Sequence, residues 1–178
     1  MKNNIAKLTM IVASLFILAC TARSKKAEDA LLNDLSKATT IIAHKNERRL
    51  EKVKAYYNSD STSAQTKAIY KNFLEVHENK NLFIKNIEAE EADLMKLSID
   101  FVTNSVNHLS EEKKKDLITK ITGSTIQDMQ VLQEKESPAL LIQELKLDAE
   151  IFIQEYDHLI LGDLAKDKKG FEWEIYWE

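Results

Sequence analysis

The sequence predicts an all-α protein: an antiparallel helical bundle built from a long helical hairpin, two short helices and a final long helix, with a short extended aromatic tail. Three observations carry that expectation. The 178 residues include only 3 glycines and 1 proline, too few to punctuate a many-stranded sheet. Apolar residues recur at steps of three and four, the period of a helix with one buried face. Serines, threonines and the Ser137-Pro138 pair stand ahead of these stripes, where helix N-caps belong. With 44% of residues hydrophobic the chain can build a core, and the 30% that are charged mix both signs to a net −4. A nucleic-acid binder would show a clustered basic face instead, so no nucleic-acid partner is expected.

The N-terminus differs from the rest. Lys2 and Lys7 make it positive, and Leu8 to Leu18 is an uncharged apolar run, too short for a membrane-spanning helix of about 20 residues. The run ends in Ile17-Leu18-Ala19-Cys20, and Cys20 is the single cysteine of the chain. This resembles a bacterial lipobox, with Leu18 bulkier than the usual residue at its position. The resemblance implies a signal peptide over 1–19, a diacylglycerol on the Cys20 thiol and an acyl chain such as palmitate on the new amino terminus. The competing reading is an uncleaved anchor, which the shortness of the apolar stretch disfavours. Cleavage takes two lysines from the 25 basic residues and leaves 23 against 29 acidic ones, a net charge of −6. Residues 20–26 then form the lipidated cysteine and a short tether. In its extended form the six-residue segment 21–26 reaches no more than about 20 Å.

From residue 27 to 178 the chain reads as one helical-bundle domain. Leu31, Leu35, Ala38, Ile42, Leu50, Val53 and Tyr57 make the first stripe, interrupted by His44 to Arg48, where Asn46 falls on the face due to be buried. The serine- and threonine-rich 58–63 is the clearest loop. A second helix starts near Ala64, marked by Ile69, Phe73, Val76, Phe83, Ile87, Leu94 and Ile99. Neither glycine nor proline interrupts it before Ser110, so one long helix, kinked near Glu88 to Asp93, is expected. With the first it forms an antiparallel hairpin. Ser110 caps a short helix that Gly123 ends, and 124–136 is a second short one. Ser137-Pro138 opens the last long helix, striped by Leu141, Leu145, Ala149, Phe152, Tyr156 and Leu159 and ended by Gly162. Together these elements suit an up-and-down bundle.

The tail, 170–178, changes period. Phe171, Trp173, Ile175 and Trp177 alternate with Glu172, Glu174, Tyr176 and Glu178, a pattern of extended chain. Both tryptophans of the chain lie here. The tail either packs its aromatics into a groove of its own bundle or offers them to a partner by strand addition.

Signs of chemistry are few. With Cys20 lipidated, no cysteine is left for catalysis or zinc, and no phosphate-binding loop or hydrolase motif occurs. The one pattern worth testing for metal is Glu155-x-x-His158. Di-iron bundles need a second Glu-x-x-His, and the residues three before His44, His77 and His108 are Ile41, Leu74 and Ser105. Glu88, Glu90, Glu91 and Asp93 read as a solvated acidic face. No catalytic residue, cofactor, metal or small-molecule ligand is expected.

Several features in order resemble the N-terminal periplasmic helical domain of the GldM/PorM family, the core subunit of gliding motility and type IX secretion. They are Lys45-Asn46 late in helix one, a second helix beginning Thr66-Lys-Ala-Ile-Tyr-Lys-Asn72, and Trp173-Glu174 with Tyr176. The resemblance spans about residues 27–178 and implies a helical interaction domain of the cell envelope. The lipobox departs from the family, whose members have a transmembrane helix and further β-domains. These readings together lead to a lipid-anchored, non-enzymatic envelope protein facing the periplasm, on the inner leaflet of the outer membrane, with an envelope protein as partner. The alternative is a helical module that binds a ligand or senses envelope stress.

Overall fold

The computed structural model describes the backbone of residues 2–89, 91–122 and 137–166, and side chains from residue 25 onward except 118, 120–122, 163, 165 and 166. The described residues form five helices and no strand: α1 (Lys2–Tyr57), α2 (Ala64–Ile87), α3 (Leu94–Val106), α4 (Glu111–Thr122) and α5 (Pro138–Lys166). The chain is all-α, and its helices pack as a bundle.

Local chemistry explains where the helices start. The Ser63 hydroxyl accepts from the Thr66 amide at 3.1 Å and opens α2. Asp93 accepts from the Lys96 amide at 3.0 Å and opens α3. Ser137 accepts from the Leu140 amide at 3.3 Å, with Pro138 in the first turn of α5. Each side chain satisfies an amide that lacks an intrahelical partner. At the end of α1, the Thr62 hydroxyl donates to the Tyr56 carbonyl at 2.6 Å and folds the loop back toward α2.

Three expectations about the elements need correction. The second helix is two helices, not one kinked rod: α2 ends at Ile87 and α3 begins at Leu94. Between them Glu91 takes φ 63°, the left-handed region. The acidic run ending in Asp93 lets a carboxylate cap a new helix in place of continuing the old one. Second, Gly162 does not end α5, which continues to Lys166. A glycine costs about 1 kcal/mol inside a helix, and here Leu161 is buried and Leu164 packs on the core just beyond it. Third, the first helix does not wait for Ala27: residues 21–26 already lie within α1. The short helix expected over 124–136, Gly123 and the tail lie outside the described residues.

Side-chain pairs fix how the helices run. Phe83 of α2 stacks on Phe101 of α3 at 4.9 Å, and Phe101 meets Phe152 of α5 at 4.9 Å. Thr39 pairs with Gln143 and Asn46 with Glu150, so α5 runs in the same direction as α1. His77 pairs with Asp157 and Lys80 with Glu150, so α5 runs opposite to α2. Val53, Phe73, Val76, Ile87, Phe152, Ile153 and Tyr156 are the heart of the core. Two stripe residues miss it: Leu31 is 44% exposed and Ile99 59%. Leu31 lies ahead of the part of α1 that α5 accompanies. Ile99 is two residues from the core ring Phe101, about half a turn around α3, which puts it on the outer face.

Candidate functional site

Six polar or charged side chains are buried in the seam between α1, α2 and α5: Asn46, Arg49, His77, Lys80, Glu150 and Asp157. They form one connected network. Glu150 receives the Lys80 ammonium at 2.7 Å on one carboxylate oxygen and the Asn46 amide at 2.7 Å on the other. Asn46 also donates to the Glu150 carbonyl at 2.9 Å. Asp157 takes the Arg49 guanidinium at 3.4 Å on one oxygen and faces His77 Nε2 at 3.2 Å with the other. The same Arg49 nitrogen lies 3.4 Å from the Asn46 carbonyl oxygen, joining the two halves.

Two cationic side chains, Arg49 and Lys80, face two carboxylates, Glu150 and Asp157. Such balance is what a low-dielectric interior demands, since an isolated buried charge costs several kcal/mol. Within this network one atom is left over, Arg49 Nε, which is buried and has no hydrogen-bond partner; elsewhere among the described residues Ser105 Oγ is another. His77 stacks on Phe73 with ring centroids 4.6 Å apart. The His77–Asp157 pair has the composition of an acid–base couple, but it is sealed: His77 is 2% exposed and Asp157 fully buried. The network therefore fixes geometry and does not present groups to a substrate. Gln143, Glu150 and Asp157 recur every seven residues, as do Thr39, Asn46 and Val53 on α1. Polar groups at heptad spacing set which turn of one helix faces which turn of the other.

One end of the bundle carries an open groove of about 280 Å3 between α2, α4 and α5. Ile69, Leu109, Ile160 and Leu164 give it apolar walls, and Asn72, His108, Ser110, Lys113 and Tyr156 are polar groups along it. His108 Nε2 lies 2.7 Å from the Tyr156 hydroxyl. Burial holds the Tyr156 phenol well above its ordinary pKa, with Asp157 and then Glu75 adding to the effect. Burial also lowers the pKa of His108; Glu75 opposes that and Lys114 adds to it. Both groups are thus favoured in their neutral forms, and in the Nδ1-protonated tautomer the phenol donates and Nε2 accepts.

The sequence-predicted sites fare unequally. Cys20 lies on the α1 backbone, in the stretch whose side chains are outside the description. Phe171, Trp173, Ile175 and Trp177 follow the end of α5 and lie outside it altogether. Asn46 is buried, as its position on the α1 stripe indicates. His158 is exposed and Glu155 half-buried on α5. Among the described residues no group of three or more potential metal ligands comes together. Sequence reasoning missed the five ionisable partners of Asn46. A signal for two existed: Glu150 and Asp157 stand next to the stripe residues Ala149 and Tyr156. His77 and Lys80 likewise follow Phe73 and Val76 by four residues each, on the face of α2 that is buried.

No protein-family model, curated protein or solved structure matches this chain.

Proposed function

We propose that this protein is a lipid-anchored, non-enzymatic component of a bacterial cell envelope, facing the periplasm and acting by docking to other envelope proteins, in gliding motility or type IX secretion. The observation that carries the reading is Ile17-Leu18-Ala19-Cys20 after a charged start and a short apolar run. Among the described residues no helix is long and apolar enough to cross a membrane, and the lipobox would supply a covalent lipid as the attachment. The course of α1 suits that role. It is one helix through position 20 into the bundle, and the first buried residue among its described side chains is Asn46. Thr39 pairs with Gln143, five residues into α5, so α1 has no α5 beside it before about position 34. From Cys20 to that point a helix spans roughly 20 Å at 1.5 Å per residue. The folded head would stand off the bilayer on this stalk.

The test is processing and partitioning of the full chain in a bacterial host. Wild type is expected to lose residues 1–19 and follow the detergent phase, and Cys20→Ala to stay uncleaved or turn soluble. Equal partitioning with the signal intact in both proteins sinks the lipid anchor. A second reading, a ligand-binding module, has one observation in its favour: the groove in which His108, Tyr156 and Lys113 converge.

A further inference from the structure

We propose that the groove between α2, α4 and α5 is a binding site for a small amphiphilic carboxylate, a medium-chain fatty acid in chemical class. This deepens the second reading above and rests on it, and it holds whether or not Cys20 carries lipid. It departs from the sequence expectation, in which no ligand appears.

The floor of the groove is built in advance. Leu109, Tyr156 and Ile160 line it, and all three are buried members of the hydrophobic core. The Phe73 ring lies 6.5 Å from that of Tyr156, and the His108 ring meets Tyr156 edge-on at 5.8 Å. A preformed floor spares a ligand the cost of ordering the protein around it. Ile69 and Leu164, both half-buried, complete the apolar walls. The volume of about 280 Å3 is nearly twice the ~150 Å3 cavity that accepts benzene in a protein interior, which leaves room for a chain of roughly eight carbons.

Polar and apolar groups come from different sides. His108, Ser110 and Lys113 belong to the α3–α4 turn and the first turn of α4, whereas Ile69, Ile160 and Leu164 belong to α2 and α5. A ligand that suits both sides has an apolar body and a polar head.

The sign of the head follows from the lining. Among the described residues Lys113 is a cation there and no carboxylate lines the groove, in a chain with 29 acidic residues against 25 basic ones. Glu75, which acts on His108 from outside the lining, is paired with Lys71 at 3.5 Å. With Nε2 engaged by the Tyr156 hydroxyl at 2.7 Å, the Nδ1-protonated His108 has an N–H to offer, and Asn72 adds an amide. An ammonium, an imidazole N–H and an amide N–H together suit the oxygens of a carboxylate.

NMR titration of the full chain, methyl-labelled at isoleucine and leucine, with submicellar octanoate tests the site directly. Saturable shifts are expected at Ile69, Leu109, Ile160 and Leu164, with the exposed Leu31 and Ile99 unmoved. Lys113→Gln is expected to weaken binding roughly tenfold at a nearly unchanged melting temperature, and octanol to bind wild type roughly tenfold more weakly than octanoate. Should Lys113→Gln misfold, the octanol comparison on wild type decides the same point. Octanol binding as tightly as octanoate, or equal affinity in folded Lys113→Gln, overturns the carboxylate and leaves a ligand site standing. No saturable shift with either compound, or equal shifts at Leu31 and Ile99, overturns the site and the ligand-binding reading with it.

Discussion

Single residues carry this fold in the seam, where Glu150 and Asp157 each have donors on both carboxylate oxygens. Removing one member leaves its partner charged and dry. Glu150→Ala strands the Lys80 ammonium and is expected to cost about 3–5 kcal/mol. Replacing Lys80 and Glu150 together by Met and Leu is expected to recover most of that loss, because an apolar pair of similar volume needs no hydration. Denaturant titrations of the single and double variants check both. At the mouth of the groove His108 gives a pH dependence with a definite sign. Its folded pKa lies below the ordinary 6.5, so the unfolded chain takes up protons first. Stability is then intact above about pH 6.5 and declines as the pH falls from there toward the folded value, below which it levels off. Wild type should lose more melting temperature between pH 7.5 and 5 than His108→Asn; equal losses refute the assignment. Asn46 could be read from the sequence because a lone polar residue interrupted an apolar stripe. Its ionic partners were far less legible: four of them sit beside or below stripe residues, but surface and interior charges look alike until three helices are brought together.

Among the elements, the helices with strong stripes were legible and the joints were not. Phe73, Val76, Phe83 and Ile87 on α2, and Leu141, Leu145, Phe152 and Tyr156 on α5, are all buried where the period of 3.6 places them. The cap at Ser137 was equally plain, and the serine- and threonine-rich 58–63 held the one at Ser63. The break at 88–93 reads from the sequence only as a kink, because it uses neither glycine nor proline. Its signal is Asp93 ahead of an apolar run, a cap hidden in an acidic cluster. That joint holds Glu91 at φ 63°, a conformation costing an L-residue roughly 1–2 kcal/mol. Glu91→Gly should therefore raise stability by up to about 1 kcal/mol, and Glu91→Val should lower it, because a β-branched side chain tolerates this region poorly. Phe152 tests the core itself: 1% exposed and packed against Phe101, it should cost about 3–5 kcal/mol when cut to alanine. Gly162 misled in the opposite sense, as packing by Leu161 and Leu164 outweighs one residue's propensity.

At the scale of the whole molecule, α1 has two parts with different work. Between residues 25 and 45 no side chain of α1 is buried, whereas Asn46, Arg49 and Val53 enter the core. Up to about position 34 the helix lacks α5 beside it, and beyond that Thr39, Asn46 and Arg49 lock it to α5 in turn. Stability of the head should thus be indifferent to the first part and acutely dependent on the second. Deleting residues 21–33 is expected to leave the melting temperature of the head nearly unchanged, because the lost segment holds few tertiary contacts and the new helix start still lies ahead of Thr39. Extending the deletion through residue 50 removes Asn46 and Arg49, leaves Lys80, Glu150 and Asp157 incompletely paired, and should abolish cooperative unfolding. If lipid at Cys20 anchors the chain, the shorter deletion has a second effect: the head moves roughly 20 Å closer to the bilayer, at 1.5 Å for each of thirteen helical residues. A head that still folds but no longer meets its envelope partner separates the stalk's role as a spacer from any role in folding. A fall in melting temperature on removing 21–33 alone shows that this division of α1 is wrong.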